Sequence, residues 1–224
     1  MVTPKYLLQG SAYALEQCGL LLRDANLLYR SGSYASAVAL AVFAQEELGR
    51  YSILLDLRKK ALGGERVTIK DIQDRCWDHV RKQEAGMMSF VMRVVTDPAL
   101  AKLLDTYLSA KPGSEERETA REQLELDQQT TKRIPLERNQ QRMSALYVDP
   151  VAPDRWNRPT SEISQITAHA YLQDAANDYS VQYDNYTLGG ADPELERWIG
   201  HPTLPSPEQP ELPPWLTFEP PTEP

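Results

Sequence analysis

Apolar residues along the first third of the chain recur at helical spacing, and the pattern is punctuated by turn residues at short intervals. Thr3 and Pro4 read as an N-cap and a first-turn proline, and Tyr6, Leu7, Tyr13, Leu20, Leu21 and Leu28 continue one apolar stripe to Ser31-Gly32-Ser33. Gly32 can close that helix in the left-handed conformation while Ser33 caps the next one, which the pattern carries from about Tyr34 to Gly63-Gly64. So short a connection makes the two helices antiparallel neighbours. A third helix is predicted from Thr68, whose partner Asp71 resembles a capping box, through to the Asp97-Pro98 break.

Further on, residues 99–110 read as a shorter helix. Ser114 caps a very polar one, Pro135 opens another to about Ala145, "YVDPVAPDRWNRP" reads as a rigid loop, and Thr160 starts a last long helix to Tyr186. Alternation of period two is sustained nowhere, so the expected fold class is all-α: an antiparallel helical bundle with additional C-terminal helices. The pattern ends near residue 200. Beyond it lie nine of the chain's seventeen prolines and no helical period, which reads as an extended acidic tail over 201–224 following a helical domain over 1–200. Such a tail could engage a protein partner.

The second predicted helix contains an anomaly. From Ala35 to Ala44 only Ser36 is polar, so the helix is apolar around its circumference and should be central. One turn later come two adjacent acids, Glu46 and Glu47, in directions that are at least half buried. An ionised carboxylate without a partner is too costly to keep in such a place. Arg50, four residues after Glu46, supplies one cation. The third helix has a comparable interruption at "DRCWDHVRKQ", where His79 falls beside the inner-face positions Ile72, Cys76, Val80 and Met87, flanked by Arg75 and Lys82. An acid, a histidine and cations gathered in one cleft make a candidate site, or a structural network that ties the bundle together.

Composition narrows the classes. With 41% apolar residues in 224 the chain can fill a core, and its formal net charge of −8 disfavours binding driven by phosphate neutralisation alone. Half of that excess is carried by Glu208, Glu211, Glu219 and Glu223, which leaves −4 on residues 1–200 and room for a local basic site. Two cysteines without metal-ligand spacing, no secretion signal and no apolar run of membrane length predict a soluble cytoplasmic protein with reduced thiols. The Glu-x-x-His repeats of di-iron bundles and Gly-rich phosphate loops are both absent, so neither a metal nor another cofactor is expected.

Three stretches, in order, resemble one family. "LYRSGSYASAVALAVFAQEELGRY" is similar to the second-helix signature of AbiV-type abortive-infection proteins in the HEPN superfamily, "DHVRK" matches the family's His-x-x-Lys, and "RMSALYVD" is similar to its Arg-rich helix end. The likeness spans about residues 10–186. It implies a HEPN-like bundle, often a homodimer, and a phage-defence protein acting on RNA or the translation machinery, with a metal-independent endoribonuclease as the candidate activity. Carried over by position, it implies a site of Glu46, Glu47, Arg50, His79 and Lys82, with Arg75 as a further cation. His79 would serve as general acid or base and the cations would stabilise a phosphorane. Lys132, Arg133, Arg138 and Arg142 form the one locally basic stretch that could track an RNA backbone. The usual HEPN signature places four to six residues between an Arg and the His, whereas only three lie between Arg75 and His79. A catalytically silent, dimeric interaction module of a defence or toxin-antitoxin system is therefore the alternative.

Overall fold

The computed structural model of the chain describes residues 1–87, 93–94, 97–153 and 155–188. Two compact units emerge, Met1–Met87 with the chain from Arg138 onward, and Met88–Glu137. The tail expected over 201–224 lies outside the described residues, as do positions 88–92 and 95–96 of the expected third helix. The described residues are helical apart from one small hairpin, so the chain is all-α.

In the first unit, α1 (Pro4–Arg30) starts where the sequence places it: Thr3 Oγ1 accepts a hydrogen bond from the Tyr6 amide and Pro4 takes the first turn. Gly32, at φ 80°, makes the left-handed turn, and α2 (Tyr34–Leu62) follows, although the Ser33 side chain makes no capping bond. α2 is the hub and packs against α1, the short helices after it and the C-terminal helix. The row of small buried residues Ala37, Ala39, Ala41 and Ala44 lets these neighbours close around it. The main core joins Leu15, Cys18 and Leu22 of α1 to Val38, Val42 and Leu48 of α2, and to Leu172, Ala176 and Tyr179. Each fully buried leucine contributes roughly 1.5–3 kcal/mol relative to exposure. Tyr6 and Tyr13, expected on the apolar stripe of α1, stay half exposed, because Leu8, Leu15 and Leu22 take the core-facing direction.

The expected third helix is two. α3 (Ile69–Cys76) opens with the Thr68–Asp71 capping box, both halves of which form. It ends at Trp77, and α4 (His79–Gly86) restarts because the Asp78 carboxylate accepts from the amides of Val80 and Arg81 at 2.9 and 3.2 Å. A second N-cap in mid-pattern therefore outcompetes continuation of the helix.

The second unit contains α5 (Pro98–Ser109), capped by Asp97, and most of α6 (Glu115–Leu146). Pro135 does not open a new helix but lies inside α6. The ring removes one backbone donor, and the residues on either side stay helical, the proline being buried. After α6 the expected loop holds a hairpin, β1 (Asp149–Ala152) antiparallel to β2 (Arg155–Asn157), pinned by Asn157, whose amide donates to the carbonyls of Ser144 and Tyr147. The last helix is also divided, into α7 (Pro159–Glu162) and α8 (Gln165–Leu188), where Ser164 recaps the chain by accepting from the Thr167 amide. No helix of the described residues is long and apolar enough to cross a membrane.

Candidate functional site

The break between α3 and α4 positions the site. It frees α4 to lie against α2 at a distance that only glycine permits: a Cβ on Gly49 would fall 1.6 Å from the Lys82 carbonyl oxygen, and one on Gly86 would fall 2.7 Å from that of Gln45. Backbone therefore meets backbone at this crossing. The first turn of α4 is thereby set beside Glu46.

Glu46 is 3% exposed at its side chain and does not stand alone. Its Oε2 receives the Lys82 ammonium at 2.8 Å and the His79 ring at 2.7 Å. An ionised carboxylate only accepts, so His79 donates from Nδ1. That fixes the tautomer in which Nε2 carries the lone pair. Lys82 is as buried as its partner, at 6% exposure, whereas the His79 side chain is 45% exposed. Arg142, from the end of α6, brings its Nε to 3.7 Å from Glu46 Oε1 and lays its guanidinium over the Phe43 ring, 5.6 Å from the centroid. That approach is an ion pair without a hydrogen bond, and Oε1 accepts none from the described residues. One carboxylate against two permanent cations leaves the cluster formally +1 before His79 is protonated. The arrangement is a half-exposed histidine oriented by a buried carboxylate within a net positive cluster. Such a group can pass a proton beside an anion.

Of the residues expected here, Glu46, His79 and Lys82 meet. Arg142, expected on a backbone-tracking stretch, joins them. Glu47 and Arg50 do not: Arg50 pairs with Glu47 at 3.3 Å rather than with Glu46. Burial pushes the Glu47 carboxyl up, against the pull of the Arg50 and Lys82 charges. Arg75 remains on α3, ahead of the break, where its charge acts on Cys76 and Asp71. Arg138 is buried: its Nη2 donates to Asp174 and, at 3.3 Å, to Asp178, which also accepts from the Gln45 amide at 3.4 Å. Lys132 and Arg133 belong to the other unit, exposed, with Arg133 3.9 Å from Glu137. Among the described residues no group of three or more His, Cys, Asp or Glu side chains could hold a metal ion.

Trp77 had no place in the sequence reading of the site. It is 85% exposed, two residues before His79, at the end of α3. Helical periodicity assigns such a residue to a continuing helix; only the break leaves its ring in solvent. The signal that could have found it is Asp78, a capping residue three positions before an otherwise unremarkable Arg-Lys pair.

Comparison with known proteins gives a family. The family model for AbiV, of the HEPN class, matches residues 7–179, a span that holds nearly all of α1, α2, the whole Glu46 cluster and most of α8. No curated protein and no solved structure matches the chain.

Proposed function

The chain belongs to the AbiV-type HEPN family of abortive-infection proteins, and from that membership we propose that it acts on RNA as a metal-independent endoribonuclease, with His79 as the proton-transfer group. The observation that carries this reading is the Glu46–His79 pair at 2.7 Å, with Lys82 on the same carboxylate oxygen.

With Nδ1–H committed to Glu46, His79 Nε2 accepts the proton of a ribose 2′-hydroxyl. The oxygen so freed attacks the adjacent phosphorus, and the bond from phosphorus to the 5′-oxygen breaks. A proton returned by an imidazolium leaves with that oxygen, so the products are a 2′,3′-cyclic phosphate and a 5′-hydroxyl. Lys82 and Arg142 supply positive charge where the phosphorane gathers negative charge. Glu46 orients the ring and stabilises the imidazolium. Trp77 offers an exposed aromatic face within about 7 Å of backbone from His79, the reach of two residues, on which an unpaired base can stack. In the HEPN pattern the site is paired across a dimer, and the chain is expected to work as a homodimer in the cytoplasm.

The second reading, a silent interaction module, draws on Arg75, which is separated from His79 by only three intervening residues and sits across the helix break from it. One experiment separates the two. Purified protein is incubated with single-stranded RNA in EDTA, beside His79→Ala and His79→Gln variants whose fold is checked by circular dichroism. Cleavage by the parent and a loss of about a hundredfold or more in both variants supports the nuclease. Equal effects of parent and folded variants on RNA and on phage growth sink it and leave the silent module.

A further inference from the structure

Glu46 and Glu47 are successive on α2 and therefore point about 100° apart. While Glu46 faces α4, Glu47 lines a groove of about 460 Å3 between α1 and α2 that Ile72 of α3 closes on one side. This groove has no part in the Glu46 site or in the proton transfer proposed for it. Its volume lies within the range of roughly 300–1,000 Å3 typical of small-molecule sites.

The lining has a consistent chemistry. Tyr6, Gln9, Tyr13 and Gln17 follow one another at spacings of three or four along a single face of α1, with Gly10 beside Gln9. Both tyrosines are 52% exposed, and Gln9 Nε2 donates to the Tyr13 hydroxyl at 2.8 Å, which holds that ring in place. The floor is apolar: Ala14, Leu54 and Gly10, where an added Cβ would come 3.3 Å from Leu54 Cδ1. The polar end is the Glu47–Arg50 pair, partly buried at the carboxylate and more open at the guanidinium. Taken together these are aromatic rims, an apolar floor, and one carboxylate beside one guanidinium with no net charge. That end calls for a neutral planar ring whose edge presents donors to the acid and acceptors to the base.

We propose that this groove is a guanine-binding site, with the base between the Tyr6 and Tyr13 rims and its edges read by Glu47 and Arg50. Guanine is the base that offers two adjacent donors, N1–H and the 2-amino group, to one carboxylate, while O6 and N7 form the acceptor pair that arginine commonly reads. Adenine has no such pair of adjacent donors, and the pyrimidines are smaller and lack an N7. Burial raises the Glu47 carboxyl against the pull of the Arg50 and Lys82 charges. Two N–H groups arriving there favour the ionised form, so guanine binding should tighten as the pH rises through the Glu47 titration.

The test uses the full chain, titrated calorimetrically with guanosine, guanosine monophosphate, adenosine and cytidine, and by fluorescence anisotropy with the labelled oligomers r(UUGUU) and r(UUAUU). The expected result is at least a tenfold preference for the guanine ligand in one of these formats. Preference for the free nucleoside or nucleotide identifies a small-molecule ligand, and preference seen only in the oligomer identifies a base within RNA. Glu47→Gln, which puts an amide donor where an acceptor is needed, should abolish the preference. Tyr13→Ala should weaken binding about tenfold and Tyr13→Phe should largely keep it. Equal binding of guanine and adenine ligands, no binding of either, or a preference that survives Glu47→Gln overturns the proposal. None of these results depends on His79, so the nuclease reading and the guanine site stand or fall separately.

Discussion

Replacing Gly49 by alanine places a methyl carbon 1.6 Å from the Lys82 carbonyl oxygen and 2.4 Å from its carbonyl carbon. Contacts between carbon and oxygen below 3 Å are not sustained, and the obstacle is helix backbone, which no rotamer change can move. α4 must withdraw by more than an ångström. The bonds it makes to Glu46, at 2.7 and 2.8 Å, then pass out of hydrogen-bonding range. Breaking a buried ion pair while its carboxylate stays in place costs about 3–5 kcal/mol. The better helix propensity of alanine offsets about 1 kcal/mol of that. A net loss of about 2–4 kcal/mol corresponds to a fall in Tm of roughly 4–16 °C for a domain of this size. Thermal unfolding followed by circular dichroism measures it, with Gly63→Ala at the end of α2 as a control. The added Cβ there meets nothing nearer than 3.3 Å, so the control should change little. The 15N chemical shifts of the His79 ring give the local readout, because the Nδ1 bond to Glu46 is lost, and should move with Gly49→Ala. If Gly49→Ala melts within 2 °C of the parent and the His79 ring shifts are unchanged, the glycine does not set the position of α4 and the geometry of the site is refuted.

Other perturbations follow from the same contacts. Lys82→Ala leaves the buried Glu46 carboxylate without its closest permanent cation and should cost about 3–5 kcal/mol in urea unfolding, whereas Glu46→Gln combined with Lys82→Met should recover much of that loss. Arg138→Ala removes the guanidinium that faces the buried Asp178 carboxylate and should also destabilise, although no chemistry is assigned to it. Glu47 carries a pH signature: a carboxyl whose native value is raised binds its proton more tightly folded than unfolded. Its contribution to stability is therefore full below the ordinary carboxylate range and is lost as pH rises through the raised value. Glu47→Gln should flatten that part of the stability profile, and an unchanged profile would contradict the burial.

Much of the bundle was legible in residue order alone. The Thr3-Pro4 start, the Gly32 turn and the Thr68–Asp71 box are local devices whose partners lie within four residues, and each forms as read. The failures share one cause, which is competition between a continuing period and an interruption. Asp78 broke a helix that the apolar spacing would have extended, while Pro135 failed to break one. At Asp78 a local cap won over the continuing period, and at Pro135 the helix absorbed one lost donor, and periodicity weighs neither.

The sequence by itself determined that the fold is helical, that α2 is its buried axis, and that charge at Glu46 on that axis needed partners, because an apolar circumference and an unpaired carboxylate are incompatible in any arrangement. Which partners answered it was decided only in three dimensions. Arg50, nearest along the chain, turned to Glu47, and Arg142, ninety-six positions away, came to Glu46 instead. Ion pairing depends on distances of a few ångströms, and those were set by a backbone crossing at Gly49 and Gly86 that leaves no signature in periodicity or charge.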